Sequence, residues 1–176
     1  MGTKTHIAVA ALSLLAMTAP ALAANQPATA SVRIRDTLTV VNITTLHFGN
    51  IIRGTTAGRV VINAQTGVRT STGGITLLGL GFTPATFTAT GTPNTVLTFS
   101  IPSGTVALTR AGGGGTMNLN TMRLSINGGA QTGISGNRTI PATGILPFTL
   151  AGRLNVGANQ VPGSYTGTVN ITVNYQ

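Results

Sequence analysis

The residues able to do acid–base chemistry are few. From residue 24 onward there is one carboxylate side chain, Asp36, one histidine, His47, and no cysteine, glutamate or lysine. A glycosidase of the usual kind needs two carboxyl groups flanking the scissile bond, so that chemistry is excluded. A zinc site needs three or four ligands of the His, Cys, Asp or Glu type, and one chain cannot assemble them. A Ser/His/Asp triad would have to combine Asp36 and His47 with one of several ordinary serines, none of which stands in a G-x-S-x-G elbow. The run AGGGGT, residues 111–116, lacks the Lys and Ser/Thr that complete a phosphate-binding loop and reads as a flexible turn. The expectation is a protein that is not an enzyme, with no catalytic residue, no cofactor and no metal.

Arginine is the other reactive resource. Lys4 is the only lysine, so residues 24–176 carry nine arginines against Asp36, a net charge of +8. Such a field can attract anionic polysaccharide, lipid head groups or nucleic acid. Arg33, Arg35, Arg53, Arg59, Arg69, Arg110, Arg123, Arg138 and Arg153 are scattered, however, and are not interleaved with aromatics. That argues against a nucleic-acid module and makes solubility the simple explanation, with anionic polysaccharide kept as a candidate partner. Phe48, Gly49, Gly58, Gly67, Arg69, Thr72, Gly73 and Gly74 resemble a ligand site, but tight turns and a surface charge at Arg69 account for them. His47, between Leu46 and Phe48, is expected on a polar face.

The elements that would position these residues are strands. Residues 1–23 place Lys4 and His6 before an apolar run from Ile7 to Met17 and end on Ala21-Leu22-Ala23, the pattern of a secretory signal peptide. The run is shorter than the roughly 20 residues that a membrane-spanning helix requires. Export to the periplasm, and then to the cell surface or the exterior, is the expected localisation. Absent cysteine leaves stability to core packing, strand pairing or assembly. Glycine-punctuated segments rich in Val, Ile, Thr and Phe predict strands at 32–41, 46–51, 58–63, 75–78, 85–90, 96–101, 106–109, 117–126, 145–156 and 164–175. No helical period appears after the leader. The apolar phase slips between Leu119 and Met122, which predicts a bulge at 120–122, and Pro147 predicts a strand edge or a bulge. About ten short strands with turns at Pro93-Asn94 and Asn127-Gly128-Gly129 argue for an antiparallel β-sandwich or barrel.

The last strand decides between functions. In GSYTGTVNITVNYQ, residues 163–176, Tyr165, Val169, Ile171, Val173 and Tyr175 alternate with Thr and Asn up to the penultimate position. Counted from Gln176, Gly163 is fourteenth. This ending resembles the terminal β-zipper of chaperone/usher pilins. Together with LHFGNIIRGTTAGRVVINAQTGVRTSTGGITLLG and FTATGTPNTVLTFSIPSG, it is similar to an uncharacterised family of secreted Gram-negative proteins related to pilins and spore-coat-U-like proteins.

The resemblance implies an immunoglobulin-like, pilin-like sandwich that is incomplete and is completed by a donor strand. It also implies a structural subunit of a fimbria-like surface fibre, with roles in cell adhesion. Copies of the chain or related subunits would be its partners, with a periplasmic chaperone and an outer-membrane usher. Gly163, Tyr165, Val169, Ile171, Val173 and Tyr175 would form the groove strand. Residues 24–35 form a candidate N-terminal extension whose donor side chains are Ala28, Ala30, Val32 and Ile34, ahead of a domain at 36–176. The alternative is a self-complemented secreted or surface-coat sandwich that binds polysaccharide. It requires residues 24–35 folded on their own domain, whereas the fibre requires them detached.

Overall fold

The computed structural model describes residue 29 and residues 31–176. The leader expected at 1–23 and the candidate donor residues Ala28 and Ala30 lie outside the described residues. Residues 34–176 form one compact unit, beginning two residues before the expected boundary. Thirteen strands and no helix occur among the described residues. They are β1 (Thr39–Thr44), β2 (His47–Ile52), β3 (Gly58–Ile62), β4 (Arg69–Gly73), β5 (Thr76–Thr83), β6 (Ala85–Thr90), β7 (Val96–Ser100) and β8 (Thr105–Arg110). The remainder are β9 (Thr116–Ile126), β10 (Gly136–Thr139), β11 (Ile145–Val156), β12 (Tyr165–Thr166) and β13 (Thr172–Tyr175).

The longest alternating run in the sequence organises them. Leu146, Phe148, Leu150, Leu154 and Val156 of β11 are buried at even positions, as period-two alternation on a half-covered sheet requires. Twelve residues give β11 room for two partners along one edge, β6 beside 145–150 and β3 beside 153–156, while β9 pairs along the other. The resulting eight-stranded antiparallel sheet runs β1-β6-β11-β9-β8-β12, with β3 and β4 attached next to β6.

Two smaller antiparallel sheets cover its inner face and make the arrangement an all-β, immunoglobulin-like sandwich. The β10-β7-β13 sheet packs Leu97 and Phe99 against Ala89, Leu124, Leu146 and Phe148. Phe148 ties this half together, stacking on Phe87 at 5.0 Å and meeting Phe99 edge-on at 5.1 Å. The β2-β5 sheet packs Phe48, Ile51 and Leu77 over Val60, Ile62, Leu154 and Val156. Antiparallel sheets joined by short turns are the architecture that the strand spacing predicts.

Several local expectations need correction. Residues 31–38 form no strand, so the first strand begins at Thr39 instead of residue 32. β4 (RTSTG) and β10 (GNRT) were not anticipated, because neither carries an apolar alternation. Pro147 lies in a central strand and not at an edge or bulge. Its carbonyl accepts from Asn127 N–H, so its missing donor faces the side where β9 has just turned away. The bulge is where the phase slip places it: Ala151 pairs Arg123 and Arg153 pairs Asn120, so Thr121 and Met122 together oppose Gly152.

The expected final strand is divided. Tyr165 and Thr166 pair with β8 on the large sheet, while Thr172 to Tyr175 pair with β7 on the small one. Residues 167–171 cross between the layers without ladder pairing. Gly167 passes so near β8 that a Cβ there would meet the Ala107 carbonyl at 2.7 Å.

Candidate assembly groove

Asp36 and His47 are set apart by the first strand. Asp36 precedes β1, where its N–H donates to Thr92 Oγ1 at 2.6 Å and its carbonyl accepts from the Tyr175 hydroxyl at 2.9 Å. His47 follows β1, exposed as expected, with Nδ1 2.5 Å from the Gly81 carbonyl. β1 alone spans about 20 Å at the usual rise per strand residue. The geometry therefore does not bring together the one carboxylate side chain and the one histidine of residues 24–176. AGGGGT caps the β8-β9 hairpin, with Gly112, Gly113 and Gly114 at positive φ, as a flexible turn should.

Arg69 is not the surface charge that the sequence suggests. Only 9% of it is exposed, and its guanidinium donates to four carbonyls. Nη1 reaches Phe48 at 2.7 Å and Asn50 at 3.4 Å, while Nη2 reaches Leu78 and Gly79 at 3.0 Å each. These carbonyls flank the irregularity where residues 79–81 oppose Gly49, so the β2-β5 ladder cannot satisfy them itself. Phe82 lies beneath the guanidinium at 4.4 Å. Arg69 thus fastens β2-β5 to β4, and its Nε is buried with no partner among the described residues.

Fastened there, β2 becomes one wall of a groove. Among the described residues it pairs with β5 on one edge only, and β12 pairs with β8 on one edge only, so two edges without a described partner face the same opening. Three depressions of about 400 Å³ each follow one another along it. The first lies between Ile51-Ile52 and Val161-Tyr165, and the second between Leu46-Ile51 and Gly163-Tyr165. The third lies between Asn42-Phe48 and Gly167-Val169. Leu108, Met117, Leu119, Leu150, Leu154 and Val156 of the large sheet form the floor.

The groove follows the seam between the two covering sheets. Leu46, Val106 and Val169 are half-buried residues that pack against both halves of the core. The second layer is therefore discontinuous where the C-terminal segment changes sheets.

This geometry divides the sequence-derived groove residues. Gly163, Tyr165 and Val169 line the opening. Ile171, Val173 and Tyr175 instead pack with the β7 half of the core. Tyr175 also donates to Asp36, accepts from Thr92 N–H and lies under Arg35 at 5.0 Å. Sequence reasoning missed the opposite wall, Leu46 to Ile52. Those residues read as an ordinary strand, and nothing in them signals that only one edge is paired among the described residues. Of the donor candidates, Val32 and Ile34 are 88% and 87% exposed.

Residues 38–175 match the family described as Domain of unknown function (DUF4402). The chain belongs to the DUF4402 family. No curated protein and no solved structure matches it. The DUF4402 match takes in all thirteen strands and stops short of residues 24–37, so the candidate extension lies outside the family domain.

Proposed function

We propose that this chain is a non-enzymatic structural subunit of a cell-surface fibre, exported through the inner membrane and assembled by donation of an N-terminal strand into the groove of the next subunit. The observation that carries the reading is the pair of strand edges, β2 and β12, that are unpaired among the described residues and face each other across an apolar floor. An added strand would supply backbone partners to an edge and place alternate side chains in the depressions below. The dimensions agree: Ala28 to Ile34 spans about 20 Å when extended, close to the length of six-residue β2. Each fully buried Val or Ile would contribute roughly 1.5–3 kcal/mol.

The likeness of the terminal segment to chaperone/usher pilins supports the same reading. Open apolar edges are an aggregation hazard until capped, which gives a periplasmic chaperone and an outer-membrane usher their place. Head-to-tail donation is a heterologous contact that need not close, so it generates filaments.

The test uses protein sheared from the native host's surface, run on a denaturing gel with and without boiling and probed by antibody. A ladder of monomer multiples that collapses on boiling is expected, and deleting residues 24–35 should abolish it. Val169→Asp should also abolish it by placing a charge in the third depression. A monomer-only lane without boiling overturns the fibre and leaves the self-complemented surface protein.

A further inference from the structure

The fold gathers three arginines that the sequence scatters. Arg59 of β3, Arg153 of β11 and Arg123 of β9 come from three adjacent strands and line one depression of about 340 Å³ with Thr121, Gln131 and Gly152. Val61 and Ile62 complete its lining, and no carboxylate contributes. This site is separate from the groove, whose lining shares none of these residues.

The bulge in β9 builds the concavity. Thr121 stands at φ +48 and turns the strand locally, and Asn120 Oδ1 then accepts from Arg153 Nε at 3.1 Å. That bond fixes the half-buried Arg153 side chain through Nε and leaves both Nη groups to donate outward. Gln131 Oε1 accepts from Ala64 N–H at 3.2 Å, so its amide NH₂ is also available as a donor. Around this centre the strand register places Asn118, Asn155 and Thr72 in one row with Arg59, and Asn120 and Thr70 in one row with Arg153 and Val61. Planar guanidinium forks match oxyanions, and the surrounding amides and hydroxyls match sugar hydroxyls.

We infer that the Arg59/Arg123/Arg153 depression binds a carboxylate or sulfate group carried on an acidic glycan. A single-stranded nucleic acid would need aromatic stacking platforms, and no aromatic residue lines the site. A bilayer presents a flat array of head groups, whereas a concave pocket admits one group projecting from a chain.

The test is binding of full-length protein to polygalacturonate, which carries carboxylates, and to heparin, which carries sulfates. Neutral dextran, an oligothymidylate and phosphatidylglycerol vesicles serve as comparisons. The triple variant Arg59→Gln/Arg123→Gln/Arg153→Gln should weaken binding to at least one acidic glycan by at least about tenfold. The slope of log affinity against log salt should fall by roughly one per arginine removed, as for other polyanion contacts. A control of equal charge, Arg33→Gln/Arg53→Gln/Arg138→Gln, should keep most of the affinity.

Because Arg153 also holds Asn120, the double variant Arg59→Gln/Arg123→Gln provides a second reading that leaves this bond in place. Thermal unfolding checks that every variant folds. Equal loss in the control, no binding of either acidic glycan at low salt, or tighter binding of oligothymidylate or vesicles would each overturn the assignment. None of these outcomes depends on fibre formation, because the binding assay uses the monomer and the fibre assay uses the groove.

Discussion

At the scale of single residues, Arg69 does most to determine whether one groove wall exists. It is a buried cation held by carbonyls instead of a carboxylate, so its worth lies in the acceptors it satisfies. Arg69→Leu would keep bulk but strand those carbonyls. At roughly 1–3 kcal/mol for each unsatisfied buried group, and with partial access for water, a loss of about 3–5 kcal/mol is expected. Thermal unfolding followed by circular dichroism should then fall by about 10 °C or more. A fall under about 2 °C would mean that water replaces the guanidinium at no cost. Gly49 is coupled to the same site, since it has φ +72 and a Cβ there would collide with Arg69 Nη1. Gly49→Ala should cost about 2 kcal/mol, from strain together with the clash. In combination with Arg69→Leu the cost should fall short of the sum, because the clash disappears with the guanidinium. Strict additivity in urea unfolding would show that the contact is not the cause.

Strands carry their own strain and their own weak points. Thr121 is a β-branched residue at φ +48, a conformation that such residues seldom adopt. Thr121→Gly should relieve more strain than the added chain entropy costs. The expected gain is about 0.5–1 kcal/mol, read as a higher urea midpoint at unchanged slope; a loss would mean the threonine side chain stabilises the bulge. Residues 167–171 should differ from their own continuation. Lacking a ladder, their amides should exchange with solvent hydrogen much faster than those of Asn174 and Gln176, whose N–H groups face β7: Gln176 N–H donates to the Val96 carbonyl, and the ladder alternates from there. Protection at 167–171 equal to that of Asn174 and Gln176 would remove the seam.

These elements also show what the sequence could disclose. The sequence marks β6 and β11 at their full bounds because alternation and turn residues agree there, and it shows the β9 bulge as a phase slip. The crossing at 167–171 was invisible, since Val169, Ile171 and Val173 keep one alternation while the backbone changes sheets. The role of Arg69 is hidden for a related reason: it is defined by carbonyls on β2 and β5, and no side-chain pattern records those.

At the scale of the whole molecule, the charge imbalance sets a measurable sign. Residues 24–176 carry nine arginines and one carboxylate side chain, so the folded domain concentrates repulsion that unfolding would dilute. In a protein of balanced charge, added salt screens favourable pairs and stability tends to fall. Here it should rise. Moving from about 10 mM to about 150 mM sodium chloride shortens the screening length from roughly 30 Å to roughly 8 Å, less than the separation of most arginines around a domain of this size. The gain should be on the order of 1 kcal/mol, seen as a higher urea midpoint with an unchanged slope. Gln at Arg59, Arg123 and Arg153 should reduce that salt response more than Gln at Arg33, Arg53 and Arg138, because only the first three crowd one depression. A midpoint that stays flat or falls with salt would mean that the arginines are already neutralised in the folded chain. The excess charge would then be part of the fold's stability and not a surface held ready for an anionic partner.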